Sequence, residues 1–188
     1  MHGEWFMIRK VFVFGGIAFC VTILAAFVLS EAMVKKESFI ERQLSARNFR
    51  NGRSLGLICE ITAYCPGPCC NTAHVQGEDG VVSRDWSDRL AVGGLSIRAL
   101  LREGVRPAAV DTSYIPFGSI IEYDGVLYVA LDRGGAIKGG RLDLAMPTHG
   151  ECIDFGRRTG CPVTVHVPNS PSLVVMALKK KFGDSAGP

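Results

Sequence analysis

The segment of residues 109–144, AVDTSYIPFGSIIEYDGVLYVALDRGGAIKGGRLDL, constrains this chain more than any other. Its apolar, β-branched runs are too short for helices and are separated by turn formers, which predicts short strands. Asp124-Gly125 is a two-residue hairpin signal between a run at 119–123 and its return at 126–131. Pro116 keeps the 114–118 stretch out of a central strand and makes it a turn. Asp111, Asp132 and Asp143 each end an apolar run or lie just inside one, so each is expected on a strand or at its edge. Between the last two lies RGGAIKGG, where Gly134, Gly135, Gly139 and Gly140 allow tight turns and close approach to a ligand. Carboxylates gathered by such turns are raw material for acid–base chemistry.

The flanking segments fit the same architecture. Residues 56–64 read as a strand ended by Pro66-Gly67-Pro68, 141–144 as a short strand, 150–156 as one or two helical turns, and 162–167 as a closing strand. Within the less legible 71–107 insert, 74–88 is polar and rich in turn formers, while 95–104 has helical spacing with Ser96 as cap and Gly104 as stop. Trp86 reads as a loop aromatic or a sugar-stacking platform. With 22 glycines and nine prolines, the expected class is mainly β: a small closed barrel with short helices. A last helix follows in the 171–188 tail, with an apolar face from Leu173 to Leu178 and Lys179, Lys180 and Lys181 at its C-terminal end, where cations suit the helix dipole.

The N-terminal part is of another kind. Residues 11–30 carry no charge, and a helix of that length crosses roughly 30 Å of hydrocarbon. Arg9 and Lys10 precede it, so residues 1–10 are expected to be cytoplasmic and 11–30 a transmembrane helix. A cleaved signal, with Ser30-Glu31-Ala32 as its small-x-small site, is the rival reading. Both place the rest of the chain outside the cytoplasm. Residues 31–54 read as a solvated linker, with Phe39, Ile40 and Leu44 on one helical face and a basic loop at 47–53. A net charge of +3, from 21 basic and 18 acidic residues, argues against a nucleic-acid partner.

Six cysteines fall outside the apolar run: Cys59, Cys65, Cys69, Cys70, Cys152 and Cys161. An even number in a translocated domain predicts a disulfide framework, whose pairing the sequence leaves open. A zinc site of Cys65, Cys69, Cys70 and His74 is the alternative, and it is disfavoured because adjacent cysteines rarely converge on one tetrahedral ion. No metal and no cofactor are therefore expected. His149, six residues after Asp143, reads as a helix-capping or surface histidine.

The pattern Ala-Val-Asp, Ile-Pro-x-Gly-Ser, Val-Ala-x-Asp-x-Gly-Gly-Ala-Ile-Lys-Gly, Asp-Leu resembles the 3D domain, named for its three aspartates. The resemblance runs from Ile61-Thr62-Ala63-Tyr64 to about Val167, and it assigns residues 55–170 to one domain. It implies a six-stranded double-psi β-barrel related to the catalytic part of membrane-bound lytic transglycosylases, enzymes that cut peptidoglycan. It further implies an envelope location, peptidoglycan glycan strands as partner, and cleavage between N-acetylmuramic acid and N-acetylglucosamine. By motif position Asp143 matches the acid/base, with Asp132 beside it and Asp111 completing the cleft. Tyr64, Lys138 and Gly135 are the implied substrate contacts. Two departures stand out: Arg133 follows the second aspartate where the family commonly has Thr, and Ala91-Val92-Gly93-Gly94 replaces a Thr-x-x-Gly motif. Without catalysis the same carboxylates would only cap turns. The rival functions are a glycan-binding module and a disulfide-stapled structural protein.

Overall fold

The computed structural model describes residues 39–183 except 46, 78 and 79. Residues 1–10, expected to be cytoplasmic, the apolar run at 11–30 and the start of the linker lie outside the described residues. Among the described residues no helix is long and apolar enough to cross a membrane.

The chain is mainly β and forms a closed barrel of six strands: β1 (Arg53–Tyr64), β4 (Pro107–Ala109), β5 (Ile120–Tyr123), β6 (Val126–Asp132), β7 (Arg141–Ala145) and β8 (Arg158–Val167), in the order β1-β7-β4-β6-β5-β8. Two junctions, β1–β7 and β4–β6, are parallel and the others antiparallel. The long β1 closes the barrel by serving two partners. Its first half pairs with β8 and its last five residues with β7, with a register shift between Cys59 and Ile61 where it changes neighbour. Asp124 and Gly125 turn β5 into β6 with φ of 51° and 71°, the mirror-image turn that the Asp-Gly pair predicts. A second, two-stranded sheet of β2 (Thr72–Gly77) and β3 (Gly80–Asp85) occupies the polar stretch of the insert, where the sequence suggested only loop.

Alternation along the strands sorts two cores. Ile61, Ala108, Ala130, Leu142, Leu144 and Val165 belong to one, which fills the barrel. Residues of opposite parity, among them Ile120, Val129 and Leu131, pack outward beneath helices. Those helices are α1 (Phe39–Ser45), α4 (Ile97–Arg102) and α6 (Pro171–Phe182). Ser96 caps α4 as expected, accepting from the Ala99 amide at 3.1 Å. The described part of the segment read as a spacer joins this layer. Ile40 is buried, the Phe39 and Phe182 rings meet edge to face at 5.7 Å, and residues 47–50 form a short helix α2 (Arg47–Arg50) whose Phe49 is also buried. On α6, Val174, Leu178 and Phe182 recur every four residues and are buried, while Leu173 and Met176 of the predicted face are exposed.

Leu178 is fully buried, so Leu178→Ala is expected to cost about 2–5 kcal/mol of unfolding free energy, against about 0.5 kcal/mol or less for Met176→Ala. Urea titration of both variants measures the difference.

Candidate functional site

The site begins with a register. Thr62 on β1 pairs with Asp143 on β7, and Asp143 in turn pairs with Ala109 on β4. On its other side Ala109 pairs with Asp132 of β6, whereas the preceding Ala108 pairs with Ala130. That one-residue shift takes up Leu131 and sets Asp132 level with Ala109. Asp132 and Asp143 therefore stand on the two strands flanking a central alanine, about 9–10 Å apart at the backbone by strand spacing. Only a methyl group separates the positions from which the two carboxylates project.

Each carboxylate is held by specific donors. The Thr62 hydroxyl donates to Asp143 Oδ1 at 2.7 Å. The phenol of buried Tyr64 donates to Asp132 Oδ2 at 3.0 Å, and the Ala91 and Arg133 amides donate to Asp132 Oδ1 at 3.0 and 2.9 Å. The stretch at 91–94 thus reaches the site through the Ala91 backbone, which needs no threonine side chain. Val92 donates to the Leu131 carbonyl, and Gly93 and Gly94, both at φ 68°, turn the chain away.

Electrostatics separate the three aspartates. Burial pushes Asp143 up to about 6; the Thr62 bond opposes this and the charge of Asp132 adds to it. Burial also raises Asp132, against the amides of Arg133 and Ala91, the Tyr64 hydroxyl and the Arg133 cation. Asp111 goes the other way. The Gly139 amide, at 2.9 Å from Oδ2, and the Ser113 hydroxyl and amide hold it down at about 2, with the Lys138 charge helping. It is an ionised turn anchor that ties the glycine loop to the end of β4. The structure brings Asp132, Asp143 and Tyr64 together and leaves Asp111 on a separate small hollow with Gly135 and exposed Lys138. Thr62, quoted in sequence only as part of a motif, is a site residue by its contact.

Asp132 opens onto a cleft of about 1010 Å³, walled by the glycine loop at Arg133, Gly134 and Gly135, by the turn at Ala91, and by half-exposed Trp86. Its far wall includes Cys70.

Among the described residues none of the six cysteines is joined to another by an S–S bond. Cys59 and Cys161 face each other across β1 and β8, both buried. Cys65, Cys69 and Cys70 gather with His149. What gathers them is the single helical turn α3 (Pro68–Asn71), which carries Cys69 and Cys70 back over Cys65. Asn71 Nδ2 fixes that turn by donating to the carbonyls of Cys65 and Gly67. The side chain of His74, the ligand considered from sequence, is not among those described.

A small closed β-barrel with two neighbouring half-buried carboxylates, one of which opens onto a cleft, is thus the class that fold and site define. Within it, residues 106–166 match the family model of the 3D domain. Among solved structures the chain is similar to MltA from E. coli, with 26% identity and a TM-score of 0.32 over 46% of this chain and 30% of that one. E. coli MltA with bound chitohexaose is similar at 25% identity and a TM-score of 0.31, with the same coverage. The chain therefore spans 30% of the length of the MltA chains it matches. No curated protein matches it.

The folded state holds the Asp143 proton more tightly than the unfolded chain, so ionising it costs stability. That cost is fully present well above pH 6 and absent below about pH 4. Asp143→Asn is expected to stabilise the fold by about 1–3 kcal/mol at pH 7.5, with the gain vanishing at pH 4. Urea titrations at the two pH values check the sign.

Proposed function

We propose that this protein is a lytic transglycosylase-like enzyme of the bacterial cell envelope, acting on peptidoglycan between N-acetylmuramic acid and N-acetylglucosamine. The observation that carries the reading is the Asp143–Asp132 pair, in which a half-buried carboxyl group keeps its proton up to about pH 6 beside a second carboxylate. Asp143, protonated, gives its proton to the glycosidic oxygen as the bond to the anomeric carbon breaks. The ionised Asp132 faces the positive charge that develops there, and Tyr64 and the Ala91 and Arg133 amides hold it in place. Asp143, now a carboxylate, takes the proton of the muramyl 6-hydroxyl as that oxygen attacks the anomeric carbon. The product is a 1,6-anhydromuramyl end, and the acid is restored without water entering the sum. Asp111 keeps a supporting part by anchoring the loop that carries Gly135 and Lys138, the proposed glycan contacts. The double-psi description of the barrel and an N-terminal membrane anchor holding the domain outside the cytoplasm belong to the same proposal.

A non-catalytic glycan-binding module is the second reading. It is favoured by Trp86 at the cleft rim, where an exposed indole suits stacking on a sugar face.

Sacculi incubated with the full chain in mild detergent are expected to release anhydromuropeptides, read by mass spectrometry, and Asp143→Asn is expected to lose about 1000-fold or more of the rate. Activity is expected to fall about tenfold per pH unit above pH 6 as the acid deprotonates. Co-sedimentation with sacculi without products, abolished by Trp86→Ala, supports the binding module instead.

A further inference from the structure

The corner formed by Cys65, Cys69, Cys70 and His149 lies outside the carboxylate chemistry. One ligand atom from each of these four residues lies within 4.8 Å of all the others. Cys65 Sγ and Cys69 Sγ are 3.3 Å apart, and Cys70 Sγ and His149 Nδ1 are 3.4 Å apart. Four ligands at zinc distances of about 2.0–2.3 Å in a tetrahedron stand about 3.3–3.8 Å from one another, so the four atoms already have nearly the required spacing. Gly67 lies against two of the sulfurs, and a Cβ there would sit 3.4 Å from both Cys65 Sγ and Cys69 Sγ. The loop is thus wrapped around one point, with its fourth donor supplied from 79 residues away.

The side chains are supported from behind. Asn71 pins the Cys65 and Gly67 carbonyls. His149 opens helix α5 (His149–Phe155), whose Thr148 cap and Glu151 side chain form a reciprocal capping box. Cys152, one turn further along α5, donates to the Thr148 carbonyl at 3.2 Å and is not one of the four.

We infer that Cys65, Cys69, Cys70 and His149 form a tetrahedral site for one zinc ion. Three thiolates and an imidazole are a structural donor set, and four protein ligands leave no open position for a reacting water. The ion would clamp the loop after β1 to the start of α5. Those segments follow the strands bearing Tyr64 and Asp143, so the clamp holds one wall of the cleft. The inference stands whether or not the barrel cleaves glycan.

The test uses the full chain, purified anaerobically in mild detergent. One equivalent of zinc by elemental analysis is expected. After exchange, Co²⁺ is expected to give the visible bands of a tetrahedral ion with thiolate-to-metal charge transfer in the near ultraviolet. Cys69→Ser and His149→Ala, both at exposed positions, are each expected to weaken Co²⁺ binding more than about 100-fold while leaving the far-ultraviolet circular dichroism unchanged. His74→Ala is expected to bind as the parent does. The site is overturned if the protein neither retains nor takes up Zn²⁺ or Co²⁺. Unchanged binding in Cys69→Ser and His149→Ala, or a Cys65–Cys69 disulfide in the anaerobically purified chain, overturns it equally.

Discussion

Asp143 keeps its proton to about pH 6 because burial and the nearby Asp132 charge both oppose its ionisation. Everything else around the site follows from the need to hold two half-buried acidic groups on one face of a barrel. The strand order places β4 between β6 and β7, and the small Ala109 on β4 leaves room above it. The register shift at Leu131 turns Asp132 toward the same opening. Without that shift, strict alternation would face Asp132 the other way.

Burying such a pair demands compensation, and the fold supplies it with neutral donors. Thr62 serves Asp143, while Tyr64, Ala91 and Arg133 serve Asp132. The Arg133 cation, at the position where the 3D-domain pattern has threonine, lowers Asp132 without overcoming burial. Both the apolar helices outside the barrel and the insert contribute to this environment, since Leu90 and Leu95 belong to the same outer core as Tyr64 and Ala145. The proposed zinc corner extends the same logic, fastening the segments that follow the Tyr64 and Asp143 strands.

Much of the barrel was legible along the chain. The strands near 56–64, 119–131, 141–144 and 162–167, the Asp124-Gly125 turn and the Ser96 cap announce themselves through local patterning and turn chemistry. The β2–β3 hairpin did not, because its polar residues lack apolar alternation. The basic 47–53 stretch hid a helical turn, since its one buried anchor, Phe49, becomes significant only against the core it meets. Of the cysteine corner, Cys65, Cys69 and Cys70 were named together but His149 was not, because spacing reports neighbours in sequence, while the fourth member arrives from another element.

The sequence by itself determined most barrel strands, the Asp124-Gly125 turn and the identity of three aspartates, because these depend on residue type and local period. Local pattern alone could not rank those aspartates, each of which ends an apolar run or lies just inside one. Tertiary structure decided that Asp111 is ionised by the Gly139 and Ser113 donors while Asp143 is shielded and pressed by Asp132. It also decided that four donors from separate segments lie within 4.8 Å of one another. The reason is common to both: proton affinity and ligand geometry depend on which groups are brought within a few ångströms, and distant segments meet only in the closed barrel.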